Sequence, residues 1–288
     1  MELVFLNSNN VNQKNPHDHV CVLGFFDGVH LGHQALINKG KQAALQKMIP
    51  LRVMTFSPHP SVVVNSDKAI TTLLTPLREK AKCMEMLGVD ELAVVSFTKE
   101  TAAMDPELFV KTYLRQLGCV HAVIGFDFAY GKRGAGKANL LKKHGQGFFD
   151  VSIISEQTHK RQKIGSTEIR RKLDQGDVES IPGMLGRSFM SEVSVLDVFD
   201  KRTTGFVPGE YHMPCPGVYE VVLQTGRTAI DATCYVTGET ENGEQTVELL
   251  FNRKVSLQKG CFRLEWLARC DVAEAEEVVW NHERIYAY

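Results

Sequence analysis

Several features that assign a chain to a specialised class are absent from this sequence of 288 residues. The seven cysteines form no C-x-x-C pair, so we expect reduced thiols rather than a zinc knuckle or a disulfide framework. No apolar run approaches the roughly 18 residues of a membrane span. The opening residues have neither a basic segment nor a long apolar core, so no signal peptide is expected. Together these absences predict a cytoplasmic protein without a membrane partner.

Charge of one sign is also lacking. The net charge of −1 gives no general attraction to nucleic acid, so we expect no nucleic-acid partner. The sequence contains no internal repeat and no low-complexity linker. Hydrophobic residues make up 43% of the chain and charged residues 23%, which is typical of globular domains. The length allows one large domain or two ordinary ones.

Strand and helix patterns alternate in the first part of the chain. Short apolar runs predict strands at 20–23, 51–56, 91–97, 120–125 and 148–154. Helical spacing predicts helices at 34–45, 75–87 and 105–117, and another from 166. The hydroxyls of Thr75 and Ser166 are expected to cap two of these helices. Because strands separated by helices pair in parallel, the pattern predicts an α/β fold with a doubly wound, Rossmann-like sheet.

The pattern changes near residue 186. Alternating apolar and polar residues then predict strands at 191–198, 217–223, 232–236, 245–251 and 262–267, with a turn at 241–244. Strands of this length without intervening helices are typical of a small antiparallel barrel or sandwich. We therefore divide the chain into an α/β domain, 1–186, and a smaller β domain, 187–288.

Residues 24–33, which read GFFDGVHLGH, lie where a predicted strand meets a predicted helix. Open α/β sheets bind ligands at such junctions, and helix N–H groups there attract anions. His30 and His33 are three residues apart and share one side of the helix. They could be a capping or packed pair, a metal site with Asp27, or a pair that contacts phosphate. The glycines around them favour phosphate, because they let backbone approach a ligand closely.

Three further segments carry candidate chemistry. Two prolines flank His59, which holds this histidine on a stiff loop after a strand or makes a plain structural turn. Residues 131–137 satisfy G-x-x-x-x-G-K, but Ala138 lacks the hydroxyl that holds magnesium in a Walker A loop, so we treat the segment as a basic glycine loop. Residues 163–170 place Lys163, hydroxyls and Arg170 at a helix start, where they suit phosphate oxygens or form an ordinary N-cap.

Taken together and in order, these segments resemble a known family. The motifs are G-x-F-D-G-V-H-x-G-H, F-x-P-H-P, G-x-D-F-x-(F/Y)-G and S-T-x-I-R, and residues 97–114 are similar as well. They resemble the N-terminal half of bacterial bifunctional riboflavin kinase/FAD synthetases over about residues 18–185. The resemblance implies a nucleotidyltransferase α/β fold and transfer of AMP from ATP to FMN.

The resemblance also implies roles for individual residues. It implies catalysis by His30, His33 and Arg170, with Mg²⁺ as cofactor and no resident protein-bound metal site. The residues expected to bind the ATP and FMN substrates are Gly24, Phe26, Asp27, Gly28, Gly32, Pro58, His59, Pro60, Asp127, Lys163, Ser166 and Thr167. Gly165 departs from the family, which usually has serine there, and we expect a modest loss of phosphate contact.

The resemblance weakens in the C-terminal half. The family has a riboflavin kinase barrel with a G-F-P-T-A-N motif, then G-V-Y and a catalytic glutamate. Residues 217–219 read GVY, and 247–251 resemble the glutamate segment, but 204–209 read TGFVPG without the threonine and asparagine that hold magnesium and phosphate. The tail after Cys270 does not match. We therefore expect a degenerate barrel without kinase activity; the alternatives are a bifunctional enzyme and a non-catalytic flavin- or nucleotide-binding regulatory protein.

Overall fold

The computed structural model describes residues 1–11, 16–64, 67, 69–159, 162–226, 228–239 and 243–270. Within these ranges the chain forms two compact units. The first contains residues 1–71 and 75–164, and the second contains 72–74 and the chain from 165 onward. The second unit therefore begins earlier in the chain than the functional boundary predicted after residue 186, which stays a prediction.

A six-stranded parallel sheet forms the centre of the first unit. Its strands are β1 (Glu2–Leu6), β2 (His19–Leu23), β3 (Leu51–Ser57), β4 (Glu91–Ser96), β5 (Cys119–Gly125) and β8 (Asp150–Ile154). Their order is β1-β4-β3-β2-β5-β8. Two short hairpins accompany the sheet: β6 (Ala129–Tyr130) with β7 (Gly136–Lys137), and β9 (Thr158–His159) with β10 (Gln162–Lys163).

Helices cover both faces of the sheet, as the alternating pattern predicts. They are α1 (Leu31–Lys47), α2 (Pro60–Val64), α3 (Leu77–Met86), α4 (Lys99–Ala103), α5 (Pro106–Val110) and α6 (Ala138–Gly145), with a π-helical turn at Lys111–Arg115 and a 3₁₀ turn at Lys132–Gly134. Alternate residues of β2 enter different cores: Val20 and Val22 pack with α1 and α3, whereas Cys21 and Leu23 pack with α5 and α6. The predicted doubly wound α/β fold is confirmed.

The strand order reverses beside β2. The chain passes from β2 to β3 on one side, and later returns to place β5 on the other side of β2. In open α/β sheets the crevice at the carboxyl ends of two such strands is the usual ligand site. The loops after β2 and β5, which contain the predicted residues 24–33 and Asp127, end at this crevice.

The second unit is built around a closed antiparallel barrel. Its strands are β11 (Phe189–Phe199), β12 (Arg202–Val207), β13 (Gly217–Gln224), β14 (Ala229–Glu239), β15 (Gln245–Phe251) and β16 (Gly260–Cys270), in the order β11-β12-β15-β14-β13-β16. Among its described residues, this unit contains two helices, α7 (Ser166–Asp174) and α8 (Pro182–Leu185). Trp266, Tyr219, Phe189 and Phe251 are fully buried. The predicted barrel is confirmed over the sandwich.

Local predictions were less accurate. The caps of α3 and α7 are Pro76 and Gly165, and neither Thr75 nor Ser166 occupies the cap position. Strands β1 and β12 were not predicted. Residues 241 and 242 of the predicted turn, and the tail after Cys270, lie outside the described residues. Among the described residues, no helix is both long enough and apolar enough to cross a bilayer.

Candidate active site

The loop between β2 and α1 carries the predicted phosphate site and has an unusual backbone. Phe26, Gly28 and Val29 all have positive φ angles, of 58°, 84° and 45°. This region is unfavourable for residues with a Cβ and persists only where surrounding structure holds it. Phe26 and Val29 are both buried in the core. Core packing therefore fixes a strained loop, which is typical of functional sites.

Two glycines make room for aromatic rings in this loop. A Cβ on Gly24 would lie 2.8 Å from the Phe26 ring. A Cβ on Gly32 would lie 3.1 Å from the imidazole of His30. A side chain at Gly24 would therefore clash with the Phe26 ring, and one at Gly32 would crowd the His30 ring.

Asp27 anchors the loop from inside. Its side chain is buried, and its Oδ1 accepts a hydrogen bond from the backbone N–H of Thr75 at 3.1 Å. In the part of the chain that the structure describes, no group of three or more His, Cys, Asp or Glu residues could hold a metal ion. The donor set therefore does not support the alternative of a metal site shared by Asp27 and the two histidines.

His30 and His33 form a stacked pair at the start of α1. His30 is the N-cap, and its Nδ1 accepts a hydrogen bond from the backbone N–H of His33 at 3.2 Å. The two rings lie 3.6 Å apart between centroids, at an interplanar angle of 16°. The buried Nδ1 of His33 has no hydrogen-bond partner among the described residues. The pair thus caps the helix and also presents a polar atom that a ligand could satisfy.

Both imidazoles are neutral near pH 7. Burial lowers the pKa of His30 to about 4. Burial also lowers the pKa of His33 well below its usual range, and the neighbouring His30 and Lys80 lower it further. A neutral imidazole carries one N–H donor and one acceptor. The pair therefore meets an incoming anion as hydrogen-bond donors at a helix N-terminus, where the helix dipole also favours negative charge.

The low pKa of His30 predicts acid sensitivity. The unfolded chain binds a proton at His30 as pH falls through 6.5, whereas the folded chain does so only near 4. His30 therefore contributes stability above pH 6.5, and about 3 kcal/mol of it is lost between these values. His30→Asn keeps a capping side chain but cannot titrate, so its free energy of unfolding should fall less on acidification. Urea unfolding of both proteins from pH 7 to 4.5 checks this. An equal dependence of the free energy of unfolding on pH in both proteins contradicts it.

The loop after β3 contacts the loop after β2. The His59 ring meets the Phe25 ring edge-on, 4.3 Å between centroids. Its Nδ1 lies 2.7 Å from the hydroxyl of Ser61. Pro58 follows a cis peptide bond, and Pro60 begins α2. The loop lies at the end of the strand, as predicted, and it brings His59 beside the 24–33 segment.

Lys80 is a site residue that the sequence interpretation missed. It is 2% exposed, and its Nζ donates to the carbonyl of Phe25 at 2.7 Å while lying 4.3 Å from the centre of the Phe25 ring. Burial lowers its pKa to about 8, against an opposing effect of Asp27. A signal was present, because Cys83, Met84 and Leu87 follow at helical spacing and place Lys80 on the apolar face of α3.

A cavity of about 530 Å³ opens in the first unit. Pro60 and Ser61, next to His59, form part of its wall. Most of the remaining lining is apolar or aromatic, with one cation: Phe56, Val64, Phe97, Thr101, Ala102, Phe109, Ala129, Tyr130, Gly131, Arg133 and Gly134. The glycine loop at 131–137 is the tip of the β6–β7 hairpin rather than a strand-to-helix turn, and it helps to line this cavity.

Asp127 and Lys163 lie close together in the structure, which neither their spacing nor the sequence pattern could predict. Lys163 Nζ lies 3.8 Å from Asp127 and 2.8 Å from Glu156. It also lies 4.9 Å from the centre of the Phe126 ring. Both side chains are more than half exposed, so this ion pair is open to competition from a charged ligand.

Ser166, Thr167 and Arg170 belong to the second unit. Gly165 is the N-cap of α7, and as a glycine it has no side chain that could cap the helix. A Cβ at Gly165 would meet nothing within 4 Å, so the serine usual at this position has space. Arg170 donates from Nη2 to the carbonyl of Thr72 at 2.9 Å. The participation of these three residues in the site stays a prediction.

Comparison with known proteins identifies the family. The family model described as FAD synthetase matches residues 12–168. The chain belongs to the FAD synthetase family. A bifunctional riboflavin kinase/FMN adenylyltransferase of Listeria monocytogenes is 42% identical over 236 residues, covering 79% of this chain and 71% of the relative. One from Bacillus subtilis is 36% identical over 264 residues, covering 87% and 83%. The predicted resemblance is therefore confirmed.

Two further comparisons concern another curated relative and a solved structure. A protein named FAD synthetase from Listeria monocytogenes is 31% identical over 207 residues, covering 70% of this chain and 80% of the relative. A crystal structure described as a macrolide-efflux protein from Streptococcus pneumoniae has a TM-score of 0.84 at 24% identity, covering 99% and 98% of the two chains. At that identity the likeness concerns the fold alone. The prediction of a nucleotidyltransferase-family enzyme is confirmed by the family.

Proposed function

We propose that this protein transfers AMP from ATP to FMN, which yields FAD and pyrophosphate. The observation that carries the proposal is the His30–His33 pair on a strained loop at the start of α1, beside the reversal in strand order. Membership of the FAD synthetase family supports the same reaction. In the proposed reaction the polyphosphate of ATP lies against this helix N-terminus.

The chemistry needs few protein groups. The nucleophile is the terminal phosphate of FMN, which is already ionised, so no general base is required. Its oxygen attacks the α-phosphorus of ATP, and the bond to the β-phosphate oxygen breaks as pyrophosphate leaves. Aligning two anions and neutralising the charge that develops on the leaving group are the main demands. His30, His33 and the N–H groups of α1 supply hydrogen bonds, and we assign Ser166, Thr167 and Arg170 to the remaining phosphate oxygens.

Magnesium is proposed to arrive with the nucleotide. Mg²⁺ commonly keeps several waters and takes substrate phosphates as ligands, rather than using an all-protein cage. The donor set fits this, because the described residues contain no carboxylate cluster for a resident ion. MgATP is therefore the proposed substrate, and its ion reduces repulsion between the phosphates of ATP and FMN.

The cavity beside His59 is the proposed site for the isoalloxazine ring. Its volume of about 530 Å³ and its aromatic wall suit a planar tricyclic ring. Phe109 and Tyr130 supply flat apolar surface, and Arg133 is a cation at the same wall. The flavin would then lie next to the loop that contacts the phosphate site through His59 and Phe25.

Filling the cavity should weaken FMN binding selectively. Ala102 lines the cavity, whereas Ala103, its neighbour on α4, is exposed and does not. We expect Ala102→Trp to raise the KM for FMN about tenfold or more, with the KM for ATP nearly unchanged, because the indole occupies the ring site. Ala103→Trp is the matched control. Steady-state kinetics in both substrates test this, and an equal effect of both variants places the flavin elsewhere.

We also propose that the barrel has lost riboflavin kinase activity. Residues 204–206, which stand where the family has its kinase nucleotide motif, are paired on both sides within β12. A Cβ on Gly205 would lie 2.7 Å from the carbonyl oxygen of Ser194, so backbone already fills that space. Glu248, in the segment that resembles the catalytic glutamate, lies 3.6 Å from Arg202. These features suit a closed barrel wall better than a nucleotide site.

Incubation with riboflavin and MgATP tests the loss. We expect no FMN and no FAD above background, whereas FMN and MgATP should give FAD in the same preparation. Clear FMN formation from riboflavin contradicts the loss and supports the bifunctional alternative. Tight flavin binding without any turnover of FMN contradicts adenylyl transfer and supports a regulatory binding protein.

A further inference from the structure

Three hydrogen bonds connect Arg170 to Asp174 through Thr72 and His212 in the second unit, and helix α7 closes this ring. Arg170 and Asp174 are four residues apart on α7 and therefore share one face of it. Arg170 Nη2 donates to the carbonyl of Thr72 at 2.9 Å. The Thr72 hydroxyl lies 3.0 Å from His212 Nδ1, and His212 Nε2 lies 2.9 Å from Asp174 Oδ1. The ring thus starts and ends on the same helix face.

The donor and acceptor roles in this ring follow from its end members. An ionised carboxylate only accepts, so His212 Nε2 carries the proton that points to Asp174. In the neutral imidazole of His212, Nδ1 is then the acceptor, and Thr72 donates its hydroxyl proton to it. With a charged Arg170 and a neutral His212, every donor in the ring therefore faces an acceptor. The imidazole fixes Thr72, whose carbonyl fixes one nitrogen of the guanidinium.

The backbone around His212 makes this arrangement rigid. Leu73 donates to the carbonyl of Glu210 at 2.6 Å, and His212 donates to the carbonyl of Leu73 at 2.9 Å. At the carboxyl end of α7, Cys215 N–H donates to the carbonyl of Leu173 at 3.0 Å, and Arg269 donates to that of Gln175 at 2.9 Å. Residues 210–215, which connect β12 to β13, and Arg269 of β16 therefore hold both α7 and the segment that contains Thr72.

A hydroxyl, an imidazole and a carboxylate in sequence also resemble a nucleophilic triad. Two observations oppose that function. Thr72 is half-buried, and its carbonyl already accepts from Arg170. The next residue, Leu73, is bonded through both its N–H and its carbonyl. The threonine is therefore part of a fixed backbone rather than an exposed nucleophile.

We propose that His212 is a positioning residue, which, through Thr72 and Asp174, fixes the guanidinium of Arg170 for adenylyl transfer. This proposal rests on the proposed function, in which Arg170 contacts phosphate oxygens. It assigns a task in adenylyl transfer to the second unit, whose kinase activity we propose to be lost. A prepositioned guanidinium acts on the transition state rather than on substrate affinity, so the ring should affect kcat more than KM.

Kinetics of the full-length protein test the proposal. Loss of one hydrogen bond to a charged group predicts a decrease in kcat of about tenfold in His212→Ala, with both KM values within about twofold. Thr72→Val should lose kcat similarly, whereas Thr72→Ser, which keeps the hydroxyl, should retain most of it. In an Arg170→Ala background, His212→Ala should cause no further loss. Two results overturn the proposal. One is that the losses in kcat caused by Arg170→Ala and His212→Ala multiply in the double variant. The other is that a folded Thr72→Val variant keeps the wild-type kcat.

A second measurement does not depend on adenylyl transfer. NMR of the arginine side chains, with the Arg170 signal assigned by its loss in Arg170→Lys, should show restricted guanidinium rotation in the wild type. Rotation should become fast in His212→Ala and Thr72→Val and stay restricted in Thr72→Ser. An unchanged Arg170 signal in the first two variants overturns the positioning role. If the wild type makes no FAD but the signal responds as expected, the proposed function fails and the ring is a structural clamp.

Discussion

His33→Ala is expected to lower kcat for FAD formation by about a hundredfold or more, because removal of one preorganised donor at a developing charge has this effect in other enzymes. The His33 ring is stacked on His30 and its buried Nδ1 lacks a partner among the described residues, so a ligand is the natural acceptor or donor there. His33→Asn keeps one N–H donor and should retain more activity than His33→Ala. The measurement is steady-state FAD formation at saturating FMN and MgATP.

The control for this prediction is His17→Ala. His17 lies just before the amino end of β2, whereas the site lies at the carboxyl end of this strand. The His17 side chain is 48% exposed. It should leave kcat unchanged. A folded His33→Ala variant with more than a tenth of the wild-type kcat contradicts the assignment of the pair to catalysis.

Lys80→Met is expected to raise stability and lower activity together. Folding lowers the pKa of Lys80 from 10.5 to about 8, so at pH 7 burial of its charge opposes folding by about 3 kcal/mol. Since the folded pKa is the lower one, this penalty is complete below pH 8 and disappears as pH rises through 10.5. Methionine fills similar volume without the charge, although the hydrogen bond to Phe25 is lost.

The expected gain for Lys80→Met is therefore about 1–3 kcal/mol in the free energy of unfolding at pH 7. Activity should fall because the ammonium holds the Phe25 carbonyl and ring, and Phe25 contacts His59. Removing the charge should also raise the pKa of His33. Urea unfolding and kcat/KM measure the two effects. Lys39→Met, at an exposed position of α1, is the control. A less stable variant contradicts the penalty for burying the Lys80 charge, and a fully active variant contradicts a functional role for Lys80.

Sequence periodicity predicted the strands that are covered by helices on both faces of the sheet. Strands β2, β3, β4 and β5 are continuous apolar runs because each is covered by helices on both faces, and their bounds were predicted within two residues. Edge strand β1 was missed although its residues 3–6, LVFL, also form a short apolar run. Strand β12 was missed because its Arg-Thr-Thr-Gly start carries little apolar pattern.

The location of residues 24–33 between a strand and a helix was predictable, because the patterns on either side of the segment are local. Contacts between distant segments were not. Lys80 approaches Phe25 across 55 positions of sequence, and Thr72 reaches His212 across 140. Such contacts depend on packing of complete elements, for which a single sequence carries no direct signal. The predicted hydroxyl caps were wrong because Pro76 and Gly165 occupy the cap positions of α3 and α7.

Labelled ATP tests the central claim most directly. The protein is incubated with FMN, magnesium and ATP that carries ³²P at either the α- or the γ-phosphate, and the flavins are separated from pyrophosphate. We predict that the α-label enters FAD, that the γ-label leaves as pyrophosphate, and that riboflavin in place of FMN takes up neither. Absence of α-label from FAD contradicts adenylyl transfer, and γ-label in any flavin contradicts the loss of kinase activity.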